Sequence, residues 1–176
     1  MRYGFTIALA MAGVLHGAAP GKAQQPTPYP LDVIPDKMPF NIPYGSSISL
    51  KRAQAAVQAA LDEATRRGWE MNVTVVGPAG DLIAFARMDN AQLASVQISQ
   101  HKARAAALFR RPTRLLEDAV QKSDAKYLLS LDGVIASRGG IPLVEDGKLV
   151  GAIGCSGGTG SQDEAVCTVG AATINK

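Results

Sequence analysis

The stretch Gly139-Gly-Ile-Pro-Leu-Val-Glu-Asp-Gly-Lys-Leu-Val-Gly-Ala-Ile-Gly-Cys-Ser-Gly-Gly-Thr-Gly-Ser-Gln-Asp-Glu164 reads as strand, two-residue turn, strand, glycine loop and helix start. Asp146-Gly147 lies between two apolar runs, and a two-residue Asp-Gly loop favours the type I′ hairpin because both residues must take positive φ. Ile141–Glu145 and Lys148–Ser156 are therefore expected to pair antiparallel. The second strand carries Gly151 and Gly154. Glycine inside a strand costs stability and marks a close approach, so a helix or a flat ligand is expected against it.

The loop Ser156-Gly-Gly-Thr-Gly160 resembles an anion cradle of backbone N–H groups. No Gly-Lys-Ser/Thr follows it, and Asp163 and Glu164 in the first helical turn would repel phosphate. Ser161 and Glu164 have the spacing of a capping box, which assigns both a structural role. Asp163 is not needed for that box and is the stronger functional candidate. Its structural alternative is compensation of the helix dipole.

Working outward, Ile48, Ala53, Ala56, Val57, Ala60, Leu61 and Ala64 recur at helical spacing. They predict a helix over Leu50–Arg67, with Ser49 as N-cap, Gly68 as its stop and an alanine face suited to close packing. Met71–Val76 and Leu82–Met88 read as strands around the turn Gly77-Pro-Ala-Gly-Asp81. Helices are expected over Val96–Phe109, capped by Ser95, over Arg114–Lys122, capped by Thr113, and over Gln162–Ile174. A short strand is expected near Val134–Ala136, and residues 123–133 stay unassigned. Hairpins in place of βαβ crossovers imply an α+β fold, an antiparallel sheet of about five strands with packed helices. No Gly-x-Gly-x-x-Gly follows the first strand, which excludes a dinucleotide-binding fold.

Of 176 residues, 18 are basic and 15 acidic. Residues 1–23 hold Arg2 and Lys22 and no acid, which leaves 16 basic and 15 acidic residues in the remainder. That balance, with the single Trp69, argues against a nucleic-acid partner. Arg2, the 11-residue apolar run Phe5–Leu15 and Gly21-Lys22-Ala23 have the layout of a signal peptide cut before Gln24. The run is short for a bilayer span, so a periplasmic or secreted protein without stable membrane insertion is expected. Six prolines fall in residues 24–47, an extended arm ahead of a domain at 48–176. Cys155 and Cys167 are either a disulfide, which export permits, or two buried thiols.

Four segments resemble the GlcG/HbpS family of small haem-binding and organic-acid-operon proteins in register. They are the alanine-faced first helix, the hairpin Val73–Met88 ending Arg87-Met88-Asp89, the run Lys102-Ala-Arg-Ala-Ala106 to Pro112-Thr113, and Gly139 through Glu164. Together they span roughly residues 48–175. The resemblance implies a profilin-like or PAS-like fold, frequent homo-oligomers and, in some members, haem or corrinoid binding. A similar module forms the C-terminal part of some corrinoid adenosyltransferases.

Haem iron takes His, Met, Cys or Tyr as axial ligand. His101 is the only histidine after the leader and is the metal-ligand candidate, with Met71, Met88, Tyr127 and Cys155 as the other residues of suitable chemistry. Arg87 and Arg138, beside turns, are candidates to meet carboxylates, or else pair with Asp89 or Asp163. Lys102 and Arg104 read as a solvated helix face, with Lys102 kept as a ligand contact beside Gly157, Gly158 and Asp163. The glycine-bearing strand and its neighbouring helix are expected to form an apolar slot. The reading therefore favours an exported small-molecule-binding protein, haem or another tetrapyrrole first. The alternatives are an enzyme on a small organic acid or aromatic compound, with Asp163 as general base and Arg138 as anchor, and an oligomeric scaffold or sensor. No nucleophile set can be assembled from one histidine, which weighs against catalysis.

Overall fold

The computed structural model describes residues 34–175. The leader at 1–23 and the first part of the proline-rich arm lie outside the described residues. Four α-helices and four strands follow in the order α1 (Leu50–Arg67), β1 (Asn72–Val76), β2 (Leu82–Arg87), α2 (Ser95–Leu108), α3 (Thr113–Lys122), β3 (Gly140–Glu145), β4 (Lys148–Ser156) and α4 (Gly160–Ala172). The strands form one antiparallel sheet in the order β2-β1-β4-β3. The fold is α+β, as expected, with four strands and not five. Residues 134–136 form no strand, and the unassigned stretch holds a short 3-10 turn over Lys126–Ser130.

Helices cover both faces of the sheet. On one, Ala53, Ala56, Ala60 and Ala64 of α1 and Val166, Cys167 and Ala171 of α4 pack with Val73, Val75, Ile153 and Cys155. On the other, Ala103, Ala106 and Ala107 of α2 meet Val76 and Ala152. Cover on both sides explains why β1 is buried at every position and β4 at all but its first. The alanine face of α1 serves close approach to α4: a Cβ at Gly170 would meet Ala56 O at 2.8 Å and Ile153 Cδ1 at 2.6 Å.

The β3–β4 turn is the expected one, with Asp146 and Gly147 at φ 49° and 71°. Gly68 ends α1 at φ 69°. The caps differ from expectation. Ser49 stands at the N-cap of α1 with no side-chain hydrogen bond. Ser95 and Thr113 are the first residues of their helices, not caps. Thr113 instead accepts the Gly140 amide at 2.9 Å. At α4 the capping box belongs to Thr159 and Gln162, not to Ser161 and Glu164. The helix starts at Gly160, two residues earlier than expected, so Gln162 occupies the third helical position and returns its side chain to the Thr159 amide at 2.8 Å.

The last residues of the proline-rich arm run along the chain's own β4. Leu149 N donates to Pro43 O, Gly45 N to Leu149 O and Ile48 N to Val150 O, each at 2.8 Å. This contact continues the ladder of β4 past Val76↔Ala152, where β1 ends.

Candidate functional site

Most of the residues expected to carry function fall into three places; Arg87 and the remaining axial candidates lie outside them. The first is sealed. Lys102 Nζ on α2 donates to Asp163 Oδ2 on α4 at 2.6 Å, and their side chains are only 1% and 3% exposed. Lys102 is thus not on a solvated face. Asp163 Oδ1 accepts the amides of Gly157 and Gly158 at 3.1 and 3.0 Å. The glycine loop is an anion cradle, and the anion is the chain's own carboxylate. Burial pushes the Asp163 carboxyl above its usual range, against the pull of Lys102 and the two amides. Both carboxylate oxygens are thus engaged by the protein's own groups, while Gly157 and Gly158 also line a groove of about 280 Å³ with Trp69 and Gln92.

The same pair explains the surrounding glycines. A Cβ at Gly139 would sit 2.8 Å from Asp163 Cβ and 3.2 Å from Lys102 Nζ, and one at Gly140 would strike Lys102 O. A Cβ at Gly154 would strike Ser99 O and lie 2.5 Å from Ala103 N. The close approach inferred for β4 is therefore made by helix α2, with Thr74 and Ser99 hydroxyls bonded at 2.9 Å beneath it. The expected apolar slot between them is filled by the helix.

The second place is the charged cluster around Arg138. Its guanidinium pairs with Glu117 at 2.7 Å, Asp118 at 3.6 Å and Glu164 at 3.7 Å. Glu117 also accepts the Arg138 amide at 2.7 Å. Burial raises the Glu117 carboxyl, but these hydrogen bonds outweigh it and hold the group below 4.5. Arg138 is committed within the protein, neither to Asp163 nor to an outside carboxylate. Arg87 is exposed at the end of β2, away from both clusters.

The third place is open. Along the outer face of α2, Gln97, Ile98, His101, Arg104 and Leu108 line a groove of about 410 Å³, closed at one side by Gly133. His101 is exposed there. Arg104 Nε donates to Gly80 O at 3.2 Å, which holds its guanidinium beside the groove. The other axial candidates are less available. Cys155 is joined to Cys167 in a disulfide with Cα atoms 5.6 Å apart. Met71 is fully buried, and Met88 Sδ accepts the Met71 amide at 3.4 Å. Tyr127 is about half exposed. The partnership of Ile98, Arg104 and Leu108 with His101 was missed in the sequence, although positions 98, 101, 104 and 108 fall on one helical face. A larger groove of about 670 Å³, at the start of α1, has its Arg52 paired to Glu145 at 2.6 Å and holds none of these residues.

Residues 48–172 match the family model described as haem degrading protein HbpS-like. The chain belongs to the HbpS-like family. Protein GlcG of Escherichia coli K12 is 36% identical to it over 109 residues, covering 62% of this chain and 81% of GlcG. A solved double mutant of HbpS from Streptomyces reticuli matches with a TM-score of 0.70 and 26% identity, over 90% of this HbpS-like chain and 99% of that one. A solved complex of PduOC with haem matches with a TM-score of 0.66 and 28% identity, over 73% of this chain and 96% of PduOC. The fold and family expected from the sequence are those found. Among the described residues, no helix of this HbpS-like protein is long and apolar enough to cross a membrane, and no group of three or more His, Cys, Asp or Glu could hold a metal ion.

Proposed function

We propose that this HbpS-like protein binds haem, or a tetrapyrrole of similar chemistry, on the outer face of α2. The observation that carries the reading is the placement of His101. It is an exposed imidazole on the outward face of α2, in a groove that also offers apolar surface from Ile98 and Leu108 and a cation from Arg104. The volume lies within the range of roughly 300–1,000 Å³ usual for small-molecule sites. Support comes also from the family description and from the haem complex of PduOC.

The donor set fits the group. The imidazole of His101 suits an iron axial position. The Arg104 guanidinium suits a propionate. Ile98 and Leu108 shield apolar macrocycle from water. Haem would supply the iron chemistry; the chain supplies a ligand, a counter-charge and dry surface. The enclosure of Asp163 and the engagement of Arg138 weigh against the organic-acid reading, whose base and anchor they would be.

Export is part of the proposal. It is supported by Arg2, the apolar run Phe5–Leu15 and the small residues before Gln24, and it suits a disulfide-bonded domain. Haemin titration of the mature chain tests the site. Arg104→Ala should weaken binding by about tenfold, the size of one lost charge-assisted contact, and Leu108→Asp by about as much through lost apolar surface and repulsion of the propionates. Unchanged affinity in both would move the ligand off α2. N-terminal sequencing of exported protein should read from Gln24, and retention of residues 1–23 in the cytoplasm would end the export reading.

A further inference from the structure

We propose that residues 125–132 are a second wall of the haem site: the segment closes over the groove at His101 and lays Leu129 and Leu131 on the ring face that α2 leaves uncovered. The inference rests on the reading of that groove as the haem site and adds binding residues to it. An axial ligand meets a macrocycle from one face, so the opposite face is left to other groups or to water. Apolar surface left in water forgoes binding energy in proportion to its area. The chain carries suitable cover beside the groove. Tyr127, Leu129 and Leu131 are 48%, 61% and 43% exposed, three large apolar side chains within five residues. Apolar groups gathered on a surface in this way mark a contact.

The segment stands at the side of the groove. Leu128, the one buried residue of 125–132, packs with Ala105 and Leu116, and Ala105 follows His101 by one turn of α2. Gly133, directly after the segment, lines the groove with His101 and Arg104. The segment is also built to turn about its ends, with Leu128 as its anchor. Asp124 at one end has φ 51° and Gly133 at the other has φ 79°, left-handed values that Asp tolerates and glycine takes without penalty. Between them the main-chain bonds are local: Leu128 N donates to Ala125 O at 3.1 Å and Leu131 N to Leu128 O at 3.2 Å. Residues 125–132 belong to no strand, so turning them breaks no ladder and little buried packing.

The test is haem loss from the haemin-loaded mature chain to excess apomyoglobin, followed at the Soret band, with circular dichroism as the check on folding. Leu129→Asn combined with Leu131→Asn should speed the loss by about tenfold or more, since the apolar cover of two leucines is withdrawn. The Soret maximum should stay where it is in wild type, because the iron ligand is untouched. Leu82→Asn, a leucine of comparable exposure on β2, should change neither. Trypsin gives a second readout: haemin should slow cleavage after Lys126 in wild type and not in the double variant. The wild-type digest keeps the proposal testable if the double variant folds poorly. A wild type that takes up haem, beside a double variant that loses it no faster, would overturn the second wall and leave His101 standing. So would cleavage after Lys126 that haemin does not slow in wild type. A wild type that takes up no haem would overturn the site itself, and this inference with it.

Discussion

Lys102 Nζ lies 2.6 Å from Asp163 Oδ2, and the two side chains are almost wholly withdrawn from water. The pair joins α2 on one face of the sheet to α4 on the other, past the end of β4. It is compensated on both sides, since the second carboxylate oxygen takes two glycine amides. Removing one partner leaves an uncompensated buried charge. Lys102→Met or Asp163→Leu should each cost about 3–5 kcal/mol, while the double variant should cost less than their sum. Urea unfolding of the four proteins checks this. Additive costs would mean the pair is not a unit.

The disulfide Cys155–Cys167 ties the end of β4 to α4 across a separation of 12 residues, and both sulfur-bearing residues are fully buried. A loop of this length is worth about 3 kcal/mol in the chain-entropy account. Cys155→Ala combined with Cys167→Ala should lower Tm by roughly 6–12 °C for a chain of this size. An unaltered Tm would show that the bridge adds nothing to the packing of Val166 and Ile153 around it.

Gly154 has a steric duty that can be measured apart from its flexibility. Its added methyl group would strike the Ser99 carbonyl and crowd the Ala103 amide, both backbone atoms of α2. Gly154→Ala should destabilise by about 1–3 kcal/mol or more, the usual cost of overpacking. Gly147→Ala tests the other use of glycine. No atom lies near its Cβ position, but its φ is 71°, so its cost comes from backbone strain alone.

Stability in acid should depend on Glu117. Its folded value lies below 4.5 because Arg138 bonds it twice. Such a group contributes stability above its unfolded value, and that contribution is lost as pH falls through the folded value. Asp163 has the opposite sign. Its raised value makes its contribution complete at low pH and lost as pH rises through the folded value. Tm recorded from about pH 7 to about pH 3 should therefore fall less steeply in Glu117→Gln than in wild type. An identical slope would show that other carboxylates govern acid unfolding.

Much of the fold was legible because its signals are local. The Asp146-Gly147 turn, the alanine period of α1 and the Gly68 stop each depend on a few neighbouring residues, and all three stand where the pattern put them. The caps were harder. Thr159-x-x-Gln162 and Ser161-x-x-Glu164 satisfy the same rule two residues apart, and only the packed start of α4 at Gly160 separates them. The basic pair Lys102 and Arg104 suggests a solvated face, but the two stand on opposite sides of α2, one buried and one exposed. Which face turns inward is decided by Asp163, 61 residues away. The groove at His101 escaped notice for a related reason: its far side is Gly133, in a stretch with no periodic pattern.

The central claim is that His101, on the outer face of α2, is the ligand for haem. The measurement that tests it most directly is the Soret spectrum of the mature protein titrated with haemin, beside His101→Ala and Tyr127→Phe. The account predicts a sharp, shifted band saturating at about one haem per chain in wild type and Tyr127→Phe, and lost in His101→Ala. A band that survives in His101→Ala, or a wild type indistinguishable from an unrelated apolar protein, would contradict it.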